Sequence, residues 1–246
     1  MSMKTNKQFA LMSSISCEDP DSWQDKIFLT FDIDWAHDQV IEDLLQLLGH
    51  YAVPATLFAT HKTSVLSPDL MQTHQHEIGL HPNFNQLLRG ECNGKDFLGI
   101  CSELKEIYPD SHSVRSHSLC FGSLIQTAYE SLQITHDSSV IVPYQDNSFP
   151  LLPWKMWDGL TRAPYFFCDY ITAMTTDELI ERLADRAGLK VFDFHPIHVF
   201  LNTESLDRYE RTRSLHHNPS ELIKHRYEGY GTRNRLIELL QLAKNV

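Results

Sequence analysis

The stretch Ile27-Phe-Leu-Thr-Phe-Asp-Ile-Asp-Trp35 constrains this chain more than any other. Its apolar run reads as a buried strand, and it ends in two carboxylates two positions apart, Asp32 and Asp34. In α/β folds the site opens at the carboxyl edge of the sheet. Acids delivered there are expected to bind a metal and activate water.

The rest of the chain repeats the strand-then-helix pattern. Strand-like segments recur at 53–59, 77–80, 113–117, 134–137, near 165–168 and at 190–194. Between them Asp38 opens an amphipathic helix that Gly49 is placed to end, and Ser67-Pro-Asp starts a short one. Helical spacing also runs from Phe97 to Ile107, from Leu124 to Leu132, from Thr176 to about Ala187, and through Leu236, Ile237, Leu239 and Leu240. Residues 140–168 are rich in proline and aromatics, among them Pro143, Tyr144, Trp154 and Trp157, and 202–231 are charged and loop-like. Such alternation predicts an α/β fold with about seven parallel strands curled into a barrel. Residues 1–26 read as an arm or lead-in and 27–246 as a single domain.

Composition excludes some partners. A formal charge of −11 over 246 residues argues against nucleic acid or an anionic membrane surface. No stretch approaches membrane-spanning length and no signal peptide is evident, so the cytoplasm is the expected location. The five cysteines, Cys17, Cys92, Cys101, Cys120 and Cys168, form no C-x-x-C pair, which suggests neither a disulfide framework nor a zinc ribbon.

Ionisable residues end five of the strands: Asp32 and Asp34, then His81, then Arg115 and His117, then Asp137, then His195 and His198. Parallel strands bring those ends to one face. Carboxylate and imidazole around a divalent ion, with a position open to water, is the hydrolytic pattern. Strand alternation would place Asp32 and Asp34 on the same side, so that one binds metal and the other takes a proton.

Three motifs carry a resemblance. Thr30-Phe-Asp-Ile-Asp34, Pro54-Ala-Thr-Leu-Phe58 and His76-Glu-Ile-Gly-Leu-His81 are similar to those of the polysaccharide deacetylases with NodB homology, over roughly residues 27–200. Within that family the chain most resembles the WbmS-like branch associated with lipopolysaccharide O-antigen clusters. The likeness runs through His81-Pro-Asn-Phe84, Arg115-Ser-His117 and Phe194-His-Pro-Ile-His198.

The resemblance implies a distorted (β/α) barrel and a divalent ion, usually zinc, that serves to remove N- or O-acetyl groups from sugars. It makes Asp32 the base, Asp34 and His81 metal ligands, Arg115 the arginine that orients the base, and His195 the acid. A second metal histidine would fall at Asn85. His117 is the candidate replacement and Asn85 the weaker one. Asp137 loosely matches a further acidic position. Trp35, Asn85, Asp137 and His198 are the candidate substrate contacts, and the partner implied is an acetylated sugar or oligosaccharide.

Two other readings stay open. Asp32-Ile-Asp34 could be the nucleophile pair of a haloacid-dehalogenase-like phosphatase, although Trp35-Ala-His37 follows instead of the required turn. A sugar-binding or regulatory module of the same fold, with its site decayed at Asn85, is the non-enzymatic alternative.

Overall fold

The apolar run at 27–33 becomes the central strand of a curled sheet. The protein is seen as a computed structural model that describes residues 7–91, 94–142, 149–171 and 179–243. Its strands are β1 (Gln8–Ala10), β2 (Lys26–Asp32), β3 (Thr56–Ala59), β4 (Glu77–Leu80), β5 (Ser113–Val114), β6 (His136–Asp137), β7 (Trp154–Lys155), β8 (Thr161–Arg162), β9 (Phe167–Cys168) and β10 (Lys190–Phe194). The order across the sheet is β7-β8-β6-β5-β4-β3-β2-β10-β9, with β1 also paired to β2. Every pairing is parallel except that of β7 with β8.

The segment 161–168 explains how the sheet curls. Its first half pairs with β6 and continues through the Ile141–Tyr165 bridge, while its second half pairs with β10. One length of chain therefore touches both ends of the sheet, and the result is the expected distorted (β/α) barrel.

Side-chain alternation grades the inside of that barrel. On β2, Ile27, Leu29 and Phe31 point out to the helices, and Phe28 joins an inner cluster with Phe58, Val191, Met12, Ile15 and Trp23. Residues 8–25, read above as a lead-in, thus pack against the sheet. Met12 N donates to Thr56 Oγ1 at 3.1 Å, and the buried Lys190 ammonium bonds the carbonyl of Gln24. Gly79 in the H-E-I-G-L-H motif has a packing reason, because a Cβ there would sit 2.4 Å from the Phe58 ring. Towards the carboxyl ends the inner wall turns polar, with Asp32, His81, Arg115 and Asp193 all buried.

The helices are α1 (Asp38–Tyr51), α2 (Pro68–Thr73), α3 (Asn85–Leu88), α4 (Phe97–Ile107), α5 (Ser123–Ser131), α6 (Ile180–Ala184), α7 (Pro196–Leu201), α8 (Leu206–Arg211), α9 (Pro219–Leu222) and α10 (Thr232–Gln241). Several ends differ from expectation. His37, not Asp38, caps α1 by accepting from Gln39 N, and Asp38 instead accepts from Thr63 and Ser64. The helix continues past Gly49 and ends at Ala52, whose φ is +52°. The stretch 202–231 is not simply loop: it holds α8 and α9 and buries Thr212, Pro219 and Leu222. Cys92, Pro143, Tyr144 and the helix start at Thr176 lie outside the described residues. Among the described residues no helix is long and apolar enough to cross a membrane.

Candidate functional site

The carboxyl ends of β2, β4, β5, β9 and β10 surround a cavity of about 620 Å³, within the range of pockets that enclose a small ligand. Asp32, Asp34, Trp35, His81, His117, Asp193, His195 and His198 are among the residues that line it.

The two acids of the opening stretch converge by a different route from the one expected. Strand β2 ends at Asp32, and Asp34 follows in a tight bend with φ +43°, continued by Trp35 at +56°. A left-handed turn, not strand alternation, therefore brings Asp34 back beside Asp32. Ser118 and Leu119, just after His117, are also left-handed. Among the described residues, the other four non-glycine residues with positive φ, namely Ala52, Gln75, Gln133 and Asn202, follow the ends of helices. Left-handed backbone costs a non-glycine residue energy, and away from helix ends it is found here beside the candidate ligands.

Asp34, His81 and His117 form a tight cluster. Asp34 Oδ1 lies 3.0 Å from His117 Nδ1 and 3.2 Å from His81 Nε2, and the two nitrogens are 3.3 Å apart. Tetrahedral zinc with ligand bonds of about 2.0–2.2 Å would space its ligand atoms about 3.4 Å apart, so these donors fit a divalent ion. His81 is fully buried, and its Nδ1 has no hydrogen-bond partner among the described residues, so its hydrogen bonding is directed into the cluster. Burial pushes the Asp34 carboxyl up in pKa, but hydrogen bonds from His117 and His81 outweigh this and hold it well below the usual carboxylate range. Burial would lower His81, but the charges of Asp32 and Asp34 raise it.

Asp32 is held for a different task. Its Oδ1 accepts from Arg115 Nη1 at 2.9 Å, and its Oδ2 is 3.7 Å from His81 Nε2. Arg115 is fully buried between the Phe58 and Tyr165 rings and donates to Ser138 O and Oγ. The same Nη1 also reaches Asp193 Oδ1 at 2.5 Å. Burial raises Asp193 to about 7, with Arg115 opposing and Asp32 adding to the shift.

His195 faces this pair. Its Nδ1 is 2.7 Å from Asp169 Oδ1, its backbone N–H donates to Asp169 Oδ2 at 2.8 Å, and its Nε2 is 3.6 Å from Asp34 Oδ2. Burial alone would depress this imidazole, but Asp169, Asp193 and Asp34 raise it well above its usual value. His198 is buried beside Tyr209, with Nδ1 3.1 Å from Thr203 Oγ1, and burial lowers it to about 4.

Two expected contacts lie elsewhere. Asn85 stands outside the cavity lining, and its Nδ2 donates to Ser118 Oγ at 3.1 Å, where it braces the strained turn after His117. Asp137 is buried behind the site, accepts from Ser139 N and faces Arg162 at 2.9 Å. Its side chain is buried and stands outside the cavity lining. The acid beside His195 is Asp169, which follows β9 directly. The same strand-end rule that selected Asp32 and His81 would have found it. Asp193 carried a plainer signal, a carboxylate inside an otherwise apolar strand. Tyr170 and Tyr209, which also line the cavity, carried none.

Comparison with known proteins bears on this geometry. A family model for WbmS-like polysaccharide deacetylases matches residues 29–213. The chain belongs to that family. It is 38% identical to WbmS of Bordetella bronchiseptica, described as a polysaccharide deacetylase involved in O-antigen biosynthesis, with 97% of this chain and 98% of that one covered and a TM-score of 0.86. A family 4 carbohydrate esterase from Streptomyces lividans, solved with acetate, is 12% identical over 87% of each chain at a TM-score of 0.46. No curated protein matches the sequence.

Proposed function

We propose that this WbmS-like protein hydrolyses acetyl groups, N- or O-linked, from a carbohydrate made for a cell-surface polysaccharide. We assign Asp34, His81 and His117 as ligands of a divalent ion, with zinc the best match to one oxygen and two imidazole donors. The observation that carries this reading is the convergence of those three donor atoms within 3.0–3.3 Å beside a separately tethered carboxylate. Charge supports it: the carboxyl groups of Asp32, Asp34, Asp169 and Asp193 face Arg115 and the raised imidazoles of His81 and His195, and a divalent cation would take the place of the proton that Asp32 and Asp34 favour on His81.

When bound, the ion supplies Lewis acidity for the water and the acetyl carbonyl. Asp32 accepts the proton of the attacking water, and Arg115 fixes the carboxylate that receives it. His195, kept protonated by Asp169, donates from Nε2 to the departing amine or alcohol. Trp35, 41% exposed with its ring edge-on to His117, and Tyr209, against His198, both line the cavity and offer faces for the sugar.

Acetate release from acetylated sugars by the zinc-loaded protein tests the reading. Asp32→Asn should keep the metal and lose about 10²–10⁴ in rate, the usual worth of a positioned base. Chelation should abolish release. Turnover indifferent to both treatments would refute the proposal, as would a protein that binds no divalent ion.

A further inference from the structure

On the β9–β10 side of the cavity lies a second set of donors that the deacetylation chemistry does not use together. The sulfur of Cys168, a carboxylate oxygen of Asp193 and an imidazole nitrogen of His195 lie within 4.8 Å of one another, and all three residues line the cavity. Parallel pairing of β9 with β10 sets Cys168 beside Asp193 in register, and His195 follows two residues later.

A second observation points to a ligand. Asp193 Oδ1 is taken up by Arg115 and Thr30, but Oδ2 is buried with no hydrogen-bond partner among the described residues. Nothing in the proposed hydrolysis needs that oxygen, and leaving a buried carboxylate oxygen unmatched is costly. The histidine is already arranged as a ligating histidine usually is, with its Nδ1 on a carboxylate and its other nitrogen turned to Asp34. That second nitrogen, Nε2, is 3.6 Å from Asp34 Oδ2, while Asp34 Oδ1 belongs to the first cluster. The Asp34 carboxylate thus lies between the two donor sets.

We propose that Cys168, Asp193 and His195 form a second, inhibitory site for a divalent zinc-like ion, next to the Asp34–His81–His117 cluster and sharing the Asp34 carboxylate with it. Thiolate, imidazole and carboxylate are the donors that such an ion selects. Binding displaces the proton of the Cys168 thiol, that of the His195 imidazolium and any proton on the Asp193 carboxyl, and all pass to solvent. The first ion goes to the Asp34–His81–His117 cluster, whose donor atoms already stand 3.0–3.3 Å apart, and the second to this site. Its consequence rests on the role given to His195 above: an imidazole whose Nε2 holds a metal has no proton to give the leaving group, so excess metal switches hydrolysis off.

Titration of the metal-free full-length protein with Co²⁺ tests this directly. The expected result is a first equivalent without a sulfur signature and a second that brings thiolate-to-cobalt charge-transfer absorption. Cys168→Ser and Cys168→Ala should both lose the second equivalent and its band, and should resist inhibition by excess metal. Saturation at one equivalent in the unsubstituted protein overturns the proposal, as does a second ion bound without the band. Retention of that ion by the Cys168 variants would do the same. The spectrum does not depend on turnover, so a protein that shows the band yet releases no acetate keeps this site and loses the deacetylase reading.

Discussion

Asp34 Oδ1 and His117 Nδ1 meet at 3.0 Å although they lie 83 positions apart in the sequence, and with His81 they make a three-donor cluster. Two strained turns make it possible, one at Asp34–Trp35 and one at Ser118–Leu119. Asn85 braces the second of them through Ser118.

His195 should set the alkaline limb of the pH–rate profile. Its folded pKa is raised, so the protonated form and the stability it contributes are fully present below the unfolded value. Both are lost as pH rises through the folded value. Asp169→Asn removes a charge and a hydrogen bond that raise it, so the limb should move to lower pH, with a rate loss of about 10–100-fold at neutral pH. An unmoved limb would separate Asp169 from the acid.

Acid stability offers a test remote from the cavity. His76 Nδ1 accepts from Ala55 N at 3.1 Å, and burial lowers this imidazole to about 4. The unfolded chain takes up its proton near the ordinary 6.5 and the fold only near 4, so protons favour unfolding across that interval. Stability should therefore fall as pH drops from about 6.5 towards 4. Urea midpoints should show a shallower decline in His76→Gln.

Asn202 should be a large single contributor to stability. It takes the left-handed cap of α7, donates to the carbonyls of Tyr227 and Gly229 and to Asn234 Oδ1, and accepts from Arg233 N. Asn202→Ala leaves these groups unmatched and should cost about 2–4 kcal/mol. Thermal denaturation should then show a midpoint lower by roughly 5–10 °C. A change within about 1 °C would contradict this role.

Much of this was legible in sequence because it follows from residue periodicity. The strands at 77–80 and 190–194 fall where expected, and parallel pairing brings most of the selected strand ends to one cavity. Asp137 shows the limit of that rule. It does end a strand, but its side chain turns to Arg162 and Ser139, and no periodicity reports which way a two-residue strand aims its last residue. The convergence of Asp34 with Asp32 was expected for the wrong reason, since left-handed backbone at an aspartate followed by a tryptophan has no signature in composition. The packing of residues 8–25 was hidden too, because a segment that fills the end of a barrel needs scattered apolar residues such as Met12, Ile15 and Trp23, and no repeat.

Metal binding by His117→Ala and Asn85→Ala, measured against the unsubstituted protein at limiting zinc, tests the account at its centre. The unsubstituted chain should hold one ion tightly. His117→Ala should weaken it by about 100-fold or more, and Asn85→Ala, which only loosens the neighbouring turn, by about 10-fold at most. Unchanged affinity in His117→Ala, or loss of the ion in Asn85→Ala alone, would contradict the assignment of His117 as the third ligand.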